Sequence, residues 1–153
     1  MPADRQDLKT RFKGGPSESP GLLLWRTTMR WQRAMTAALA PLDLTHVQFV
    51  LLASAMWLGR NGGPPNQVQL AAQAGTEAKM TSDVVTRLEA KGLIARETDP
   101  QDSRAKVIRI TSAGAAMAQR AILAVEAADA AFFGAVDEPQ LVSLLRQLAG
   151  EIR

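Results

Sequence analysis

The chain has 153 residues, enough for one core or for two small lobes on a shared chain, but not for two large domains. With 46% hydrophobic and 22% charged residues it has the make-up of an ordinary globular protein, and its net charge of +3 permits nucleic-acid binding without pointing to it. The absence of cysteine excludes disulfide scaffolds, thiol redox sensing and cysteine-ligated zinc.

Residues 1–19 are polar, carry Arg5, Lys9, Arg11 and Lys13, and read as a flexible, solubilising basic arm. The first twelve residues have no apolar stretch of the kind a secretory signal needs, and no apolar run approaches the roughly 20 residues of a membrane span. A cytoplasmic protein is therefore expected.

Over residues 21–39 nothing breaks a helix, and Leu24, Thr28, Trp31, Met35 and Leu39 recur at three- and four-residue steps along one face. Pro41 ends it. Thr45 suits the N-cap of a second helix over residues 46–58, with Val47, Val50, Leu51 and Ser54 on one side. Residues 59–65, with three glycines and two prolines, read as a loop. A short helix over 67–74 and a turn at Gly75 follow. The next helix, over about 77–91, turns Met80, Val84 and Leu88 inward and stops at Gly92.

Residues 93–98 and 106–110 read as two strands joined by the polar stretch 99–104, a hairpin. Thr111 and Ser112 can cap a long alanine-rich helix to about residue 133, and Asp137 can cap a last one. On that last helix Leu141, Leu144, Leu145, Leu148 and Ile152 form an apolar stripe. The fold class expected is mainly α with a small β-hairpin.

The stretch 67–114 carries the chemistry. Two helices meet across Gly75, which accepts a positive φ, with the small Ala71 where they cross. The second offers Lys79, Thr81, Ser82, Thr86 and Arg87 on its outer side. All five can donate hydrogen bonds, and such a helix can lie in a DNA major groove with its N-terminal half against base edges. The hairpin tip adds Arg104, a planar cation suited to the narrow minor groove, with Lys106 just beyond it.

Three patterns in order then resemble the MarR family: Leu88-Glu89-Ala90-Lys91-Gly92-Leu93, Asp99-Pro100-Gln101-Asp102-Ser103-Arg104, and Ile110-Thr111-Ser112-Ala113-Gly114. Leu44-Thr45-His46-Val47-Gln48-Phe49 is similar to the start of that family's second helix, so the resemblance covers roughly residues 20–153. It implies a winged helix-turn-helix DNA-binding domain over 45–111 and a helical dimerisation region from 20–44 and 112–153. It also implies a homodimer on a palindromic double-stranded operator, and for many members release by a small aromatic or lipophilic ligand. A transcriptional repressor, without cofactor or catalysis, is the function so implied. The alternative is a winged-helix module that binds a protein partner without ligand control.

The chain departs from the family pattern at Asp83, where many members carry a basic or neutral residue. Within 61–111, Lys79, Arg87, Lys91, Arg96, Arg104, Lys106 and Arg109 stand against Glu77, Asp83, Glu89, Glu97, Asp99 and Asp102, so the lobe is nearly neutral. Affinity must then come from placement.

His46 is the sole histidine, which leaves a histidine metal site or catalytic triad without support. No phosphate loop, catalytic carboxylate pair or serine nucleophile context occurs. A ligand site is expected to draw on Arg30, Trp31, His46 and Phe49, where an apolar set takes a ring and Arg30 or His46 meets an anion. The plain alternatives are packing for the tryptophans and a helix-turn position for His46.

Overall fold

The structure, a computed structural model, describes residues 8–152. Helices α1 (Pro20–Leu39), α2 (His46–Gly62), α3 (Gln67–Ala74) and α4 (Ala78–Ala90) precede an antiparallel hairpin of β1 (Ile94–Asp99) and β2 (Asp102–Ile110). Helices α5 (Ser112–Phe133) and α6 (Glu138–Ala149) follow, and short 3-10 turns occupy Pro16–Glu18 and Ala40–Leu42. The chain divides into two compact units, residues 1–33 and 34–153, the division falling within α1. Among the described residues no single helix is long and apolar enough to cross a membrane.

In the first unit, Arg5 of the basic arm lies outside the described residues. The stretch after it is turned on itself: the Gly15 N–H donates to the Phe12 carbonyl (3.0 Å) and the Gly14 N–H to the Glu18 carboxylate (3.1 Å). The Arg11 guanidinium stacks 4.7 Å from the centre of the Phe12 ring. Leu22, Leu23, Leu24 and Trp25 are all exposed. Four consecutive residues cover a helix all round, so this half of α1 is apolar on every side instead of along one stripe. The fully buried members of the expected face, Met35 and Leu39, belong to the part of α1 in the second unit.

The second unit is built around α2, which touches α3, α4, α5 and β2. Thr45 caps it as expected: the Gln48 N–H donates to Thr45 Oγ1 and the Thr45 N–H to Gln48 Oε1, both at 3.2 Å. The buried face is Gln48, Leu51, Leu52 and Ala55, while Val47, Val50 and Ser54 are half-buried. Gln48 tolerates burial because its Oε1 also accepts from the Lys91 ammonium at 3.0 Å. Lys91 donates in addition to the Asp43 carbonyl, so one lysine pins the end of α4 to the start of α2.

α2 also corrects the expected loop at 59–65, since the helix runs on through Gly62. Gly59 meets nothing within contact range, and Asn61 Nδ2 donates to the Trp57 carbonyl (2.8 Å), which supports the added turn. The true break is Gly63 to Pro65, after which the Pro65 carbonyl accepts from the Ile108 N–H at 2.8 Å. That bond ties the α2–α3 connection to β2.

Val84, Val85 and Leu88 of α4, Leu70 of α3, Leu93, Ile94, Val107 and Ile108 around the hairpin, and Ala118, Ala121 and Val125 of α5 complete the core. Each large member contributes about 1.5–3 kcal/mol by burial. The small alanines of α5 let it lie close against α2. Thr111 caps α5, accepting from the Gly114 N–H (2.9 Å) while its hydroxyl donates to the Gly92 carbonyl (2.7 Å). Asp137 likewise caps α6 through the Gln140 N–H.

His46 sits half-buried in the first turn of α2. Burial lowers its pKa below the ordinary 6.5, and the Asp129 carboxylate of α5 offsets part of that shift. The unfolded chain therefore takes up the proton more readily than the folded one. Stability from this site is complete above about pH 6.5 and is lost as pH falls through the folded pKa. Thermal melts between about pH 8 and 5 should show His46→Gln losing less stability on acidification than the parent. Asp129→Asn, which removes the compensating charge, should lose more. Three parallel curves would contradict this.

Candidate nucleic-acid interface

Helices α3 and α4 are held at a fixed turn. Asn66 and Gln69 cap α3 reciprocally, and Gly75 ends it in the left-handed region (φ 71°) with its N–H on the Ala71 carbonyl. Thr81 then closes the turn from the other side. Its hydroxyl donates to the Glu77 carbonyl (2.8 Å) and lies 2.7 Å from the Thr76 hydroxyl, which supplies the second proton.

This corrects the outer-face assignment of Thr81, which is fully buried. Its hydroxyl is satisfied inside the turn, and no atom is left to meet a base. Met80, expected inside, is instead half exposed. Thr81, Val84, Val85 and Leu88 form the inner face. At about 100° per residue, the direction opposite them is occupied by Lys79, Asp83, Thr86 and Ala90. Ser82 flanks this row on one side, with Met80 and Arg87 on the other. Lys79, Asp83, Thr86 and Arg87 are exposed; Ser82 is half-buried.

Thr86 is outward, but its proton is committed. Its hydroxyl donates to the Ser82 carbonyl (3.0 Å) and accepts from the Arg96 guanidinium (2.8 Å). What it can offer DNA is its methyl group and one lone pair. Arg96, on β1, has no local sequence signal that marks it as a link. It reaches the Ser82 carbonyl as well (3.4 Å), and its backbone N–H donates to the Glu89 carboxylate (3.0 Å). Arg96 thus fastens the hairpin root to α4, with its Nε buried and unpartnered. Nothing in local spacing signals a link between residues ten or more apart.

The hairpin is longer and tighter than the expected six-residue connection. Ile94 pairs with Ile110 and Thr98 with Lys106, and a register shift between Thr98 and Asp99 precedes a turn at Pro100 and Gln101. Asp99 and Asp102 stabilise the turn by accepting from the backbone N–H groups two residues on, at 2.8 and 3.0 Å. Ser103 to Lys106 are therefore strand. Arg104 and Lys106 share a face because they are two residues apart. The Arg104 side chain is 89% exposed and sits 3.2 Å from the Asp102 carboxylate, while Lys106 donates to the Thr98 hydroxyl at 3.3 Å. Both are surface contacts worth little by themselves.

Of the ligand candidates, Arg30 (exposed) and Trp31 (half-buried) stand on α1, and His46 and Phe49 (half-buried) in the first turn of α2. A cavity of about 470 Å³ lies between the end of α2 and α3, lined by Leu58, Pro65, Val68, Gln69 and Ala72. It takes in none of those four residues. Among the described residues no group of three or more His, Asp or Glu is placed to hold a metal ion. On α6, Leu141 is half-buried and Leu144, Leu145 and Leu148 are exposed. Ile152 is exposed too, but lies past the helix end at Ala149, so the stripe is one residue shorter than expected.

The arrangement is a helix pair at a glycine turn with a rigidly joined hairpin, and residues 44–106 match the family model described as "MarR family". The HTH-type transcriptional regulator YdcH of Bacillus subtilis is 46% identical over 79% of this chain and 82% of its own length. The chain belongs to the MarR family. Two solved structures agree on the fold. BpsR of Bordetella bronchiseptica, described with regulation of its DNA binding by 6-hydroxynicotinic acid, aligns at a TM-score of 0.80 with 26% identity, covering 90% of this chain and 97% of its own. The transcriptional repressor CouR of Rhodococcus jostii RHA1, bound to a 23-mer DNA duplex, aligns at 0.74 with 27% identity over 87% and 92%. As a MarR-family member this chain is a DNA-binding transcriptional regulator, and not an enzyme.

Proposed function

We propose that this MarR-family chain is a repressor that acts as a homodimer on a palindromic double-stranded operator and is released by a small aromatic or lipophilic ligand. In this reading residues 45–111 contact DNA, and 20–44 with 112–153 join the two copies. Lys79, Ser82, Thr86 and Arg87 on α4 face the major groove, and Arg104 with Lys106 reach the adjacent backbone or minor groove. The observation that carries it is the outer row of α4, left exposed while Thr81 locks the inner side to the turn, Lys91 ties the C-terminal end to α2, and Arg96 ties the Ser82–Thr86 flank to the hairpin. A helix fixed on three sides and open on the fourth can read a surface without rearranging. CouR bound to a DNA duplex supports operator binding, and BpsR with its 6-hydroxynicotinic acid supports ligand control. Arg30, Trp31, His46 and Phe49 are the residues proposed for the ligand.

Arg104→Ala tests the wing. The side chain is almost free of the protein, so thermal stability should be unchanged while affinity for the upstream DNA of the gene falls by roughly tenfold. Fluorescence anisotropy beside a thermal melt separates the two effects. A melting point several degrees lower with unchanged affinity would make Arg104 a structural residue.

A further inference from the structure

Asp83 is the feature of α4 that phosphate attraction does not explain. It is exposed at the centre of the outer row, one turn from Lys79 before it and from Arg87 after it. Among the described residues, no ion pair or side-chain hydrogen bond involves it, whereas Asp99, Asp102 and Asp137 each serve a turn or a cap. Every other residue on the row is a donor, a committed hydroxyl or a methyl group. Asp83 alone presents a charged acceptor.

An ionised carboxylate only accepts hydrogen bonds. In the major groove it is repelled by the acceptors of guanine, by the thymine O4 and by the phosphates on both sides. Amino groups occur there on cytosine (N4) and adenine (N6) alone. Adenine carries the N7 acceptor beside its amino group, which opposes the second carboxylate oxygen. Cytosine has only the C5–H edge beside N4. Building on the DNA-binding reading above, we infer that Asp83 is a specificity-determining residue that accepts from the N4 amino group of a cytosine in each half-site. The same carboxylate weakens binding wherever another base stands there, since an acceptor then faces an acceptor or a phosphate with nothing in return. In a lobe that is nearly neutral, this sharpens discrimination instead of adding grip.

The test is a selection from random duplexes with the parent, Asp83→Asn and Asp83→Ala, followed by anisotropy on the selected duplex and on one scrambled in sequence. The parent should return cytosine at one position per half-site, with any substitution there costing roughly tenfold in affinity. Asp83→Asn should change that position to adenine, whose N6 and N7 match a carboxamide. Asp83→Ala should lose the preference at that position alone and bind scrambled DNA several-fold more tightly. A parent without sequence preference would overturn the operator-binding reading and this assignment with it. A parent whose preference survives both substitutions unchanged would overturn the assignment of Asp83 alone.

Discussion

Replacing Gly114 by alanine should lower the melting temperature by several degrees, although alanine is the better helix former. Gly114 lies in the first turn of α5 and is buried. A Cβ built there would fall 2.8 Å from the carbonyl carbon of Leu93, nearer still to its oxygen, and 3.0 Å from the Ile110 side chain. The obstacle is backbone, and it is not free to withdraw. The Leu93 carbonyl accepts from the Thr111 N–H (3.1 Å), and Thr111 in turn holds the Gly92 carbonyl and caps α5. Relief of the clash must therefore move α5 away from β1 or break this knot. Helix propensity returns at most about 1 kcal/mol, whereas overpacking costs about 1–3 kcal/mol and the cap about 1 more. The net loss is about 1–3 kcal/mol, and at about 2–4 °C per kcal/mol for a chain of this size the melting temperature falls by about 2–12 °C. Gly59→Ala, in the interior of α2 with open space around it, is the control and should be neutral or mildly stabilising. Differential scanning calorimetry of the two variants decides the matter. Equal melting temperatures would show that α5 can shift without cost.

The second large effect concerns assembly. Leu144 and Leu148 of α6 are 53% and 78% exposed in the single chain, and none of the twelve helix residues is buried. Leu141, Leu144, Leu145 and Leu148 fall on one face at three- and four-residue steps, so the helix carries a stripe with no partner in its own chain. Leu22, Leu23, Leu24 and Trp25 at the start of α1 add further uncovered apolar surface. A second copy is the proposed cover. Burying each leucine gives about 1.5–3 kcal/mol before association entropy is subtracted, and two-fold symmetry counts every residue twice. Introducing Leu144→Asp with Leu148→Asp should thus weaken self-association by more than about a hundredfold. By light scattering at micromolar concentration the parent should have twice the chain mass of 16.5 kDa and the double variant once. A monomeric parent would remove the dimer from the account.

Much of the architecture can be read directly from residue chemistry. Thr45, Thr111 and Asp137 announce helix starts because a short oxygen side chain satisfies an orphan N–H, and each does so here. Gly75 marks the turn because its left-handed φ favours glycine. The readings that fail do so where composition and context compete. Three glycines and two prolines between residues 59 and 65 suggest a loop, yet a helix tolerates a glycine at a cost of about 1 kcal/mol, and with Asn61 bonded to the Trp57 carbonyl α2 gains a turn. At the start of α4, Met80 and Thr81 straddle the edge of the inner face. Polarity alone sends threonine out and methionine in. The structure reverses them, because Thr81 can spend its hydroxyl on the Glu77 carbonyl while Thr76 supplies the remaining proton. The wing is longer than its polar sequence suggests because strand pairing, which depends on a partner chain segment, decides where Ser103 to Lys106 go. Arg96 is invisible for a similar reason: its partners on α4 are brought to it only by the fold.

DNase footprinting of the parent on the DNA upstream of its own gene, with titration of protein against duplex, tests the central claim most directly. The account predicts one protected palindromic stretch, bound by two chains per duplex, with protection lost on Arg104→Ala at concentrations where the parent still protects. Protection of no defined sequence, or binding indifferent to Lys79, Arg87 and Arg104, would contradict operator reading by α4 and the wing.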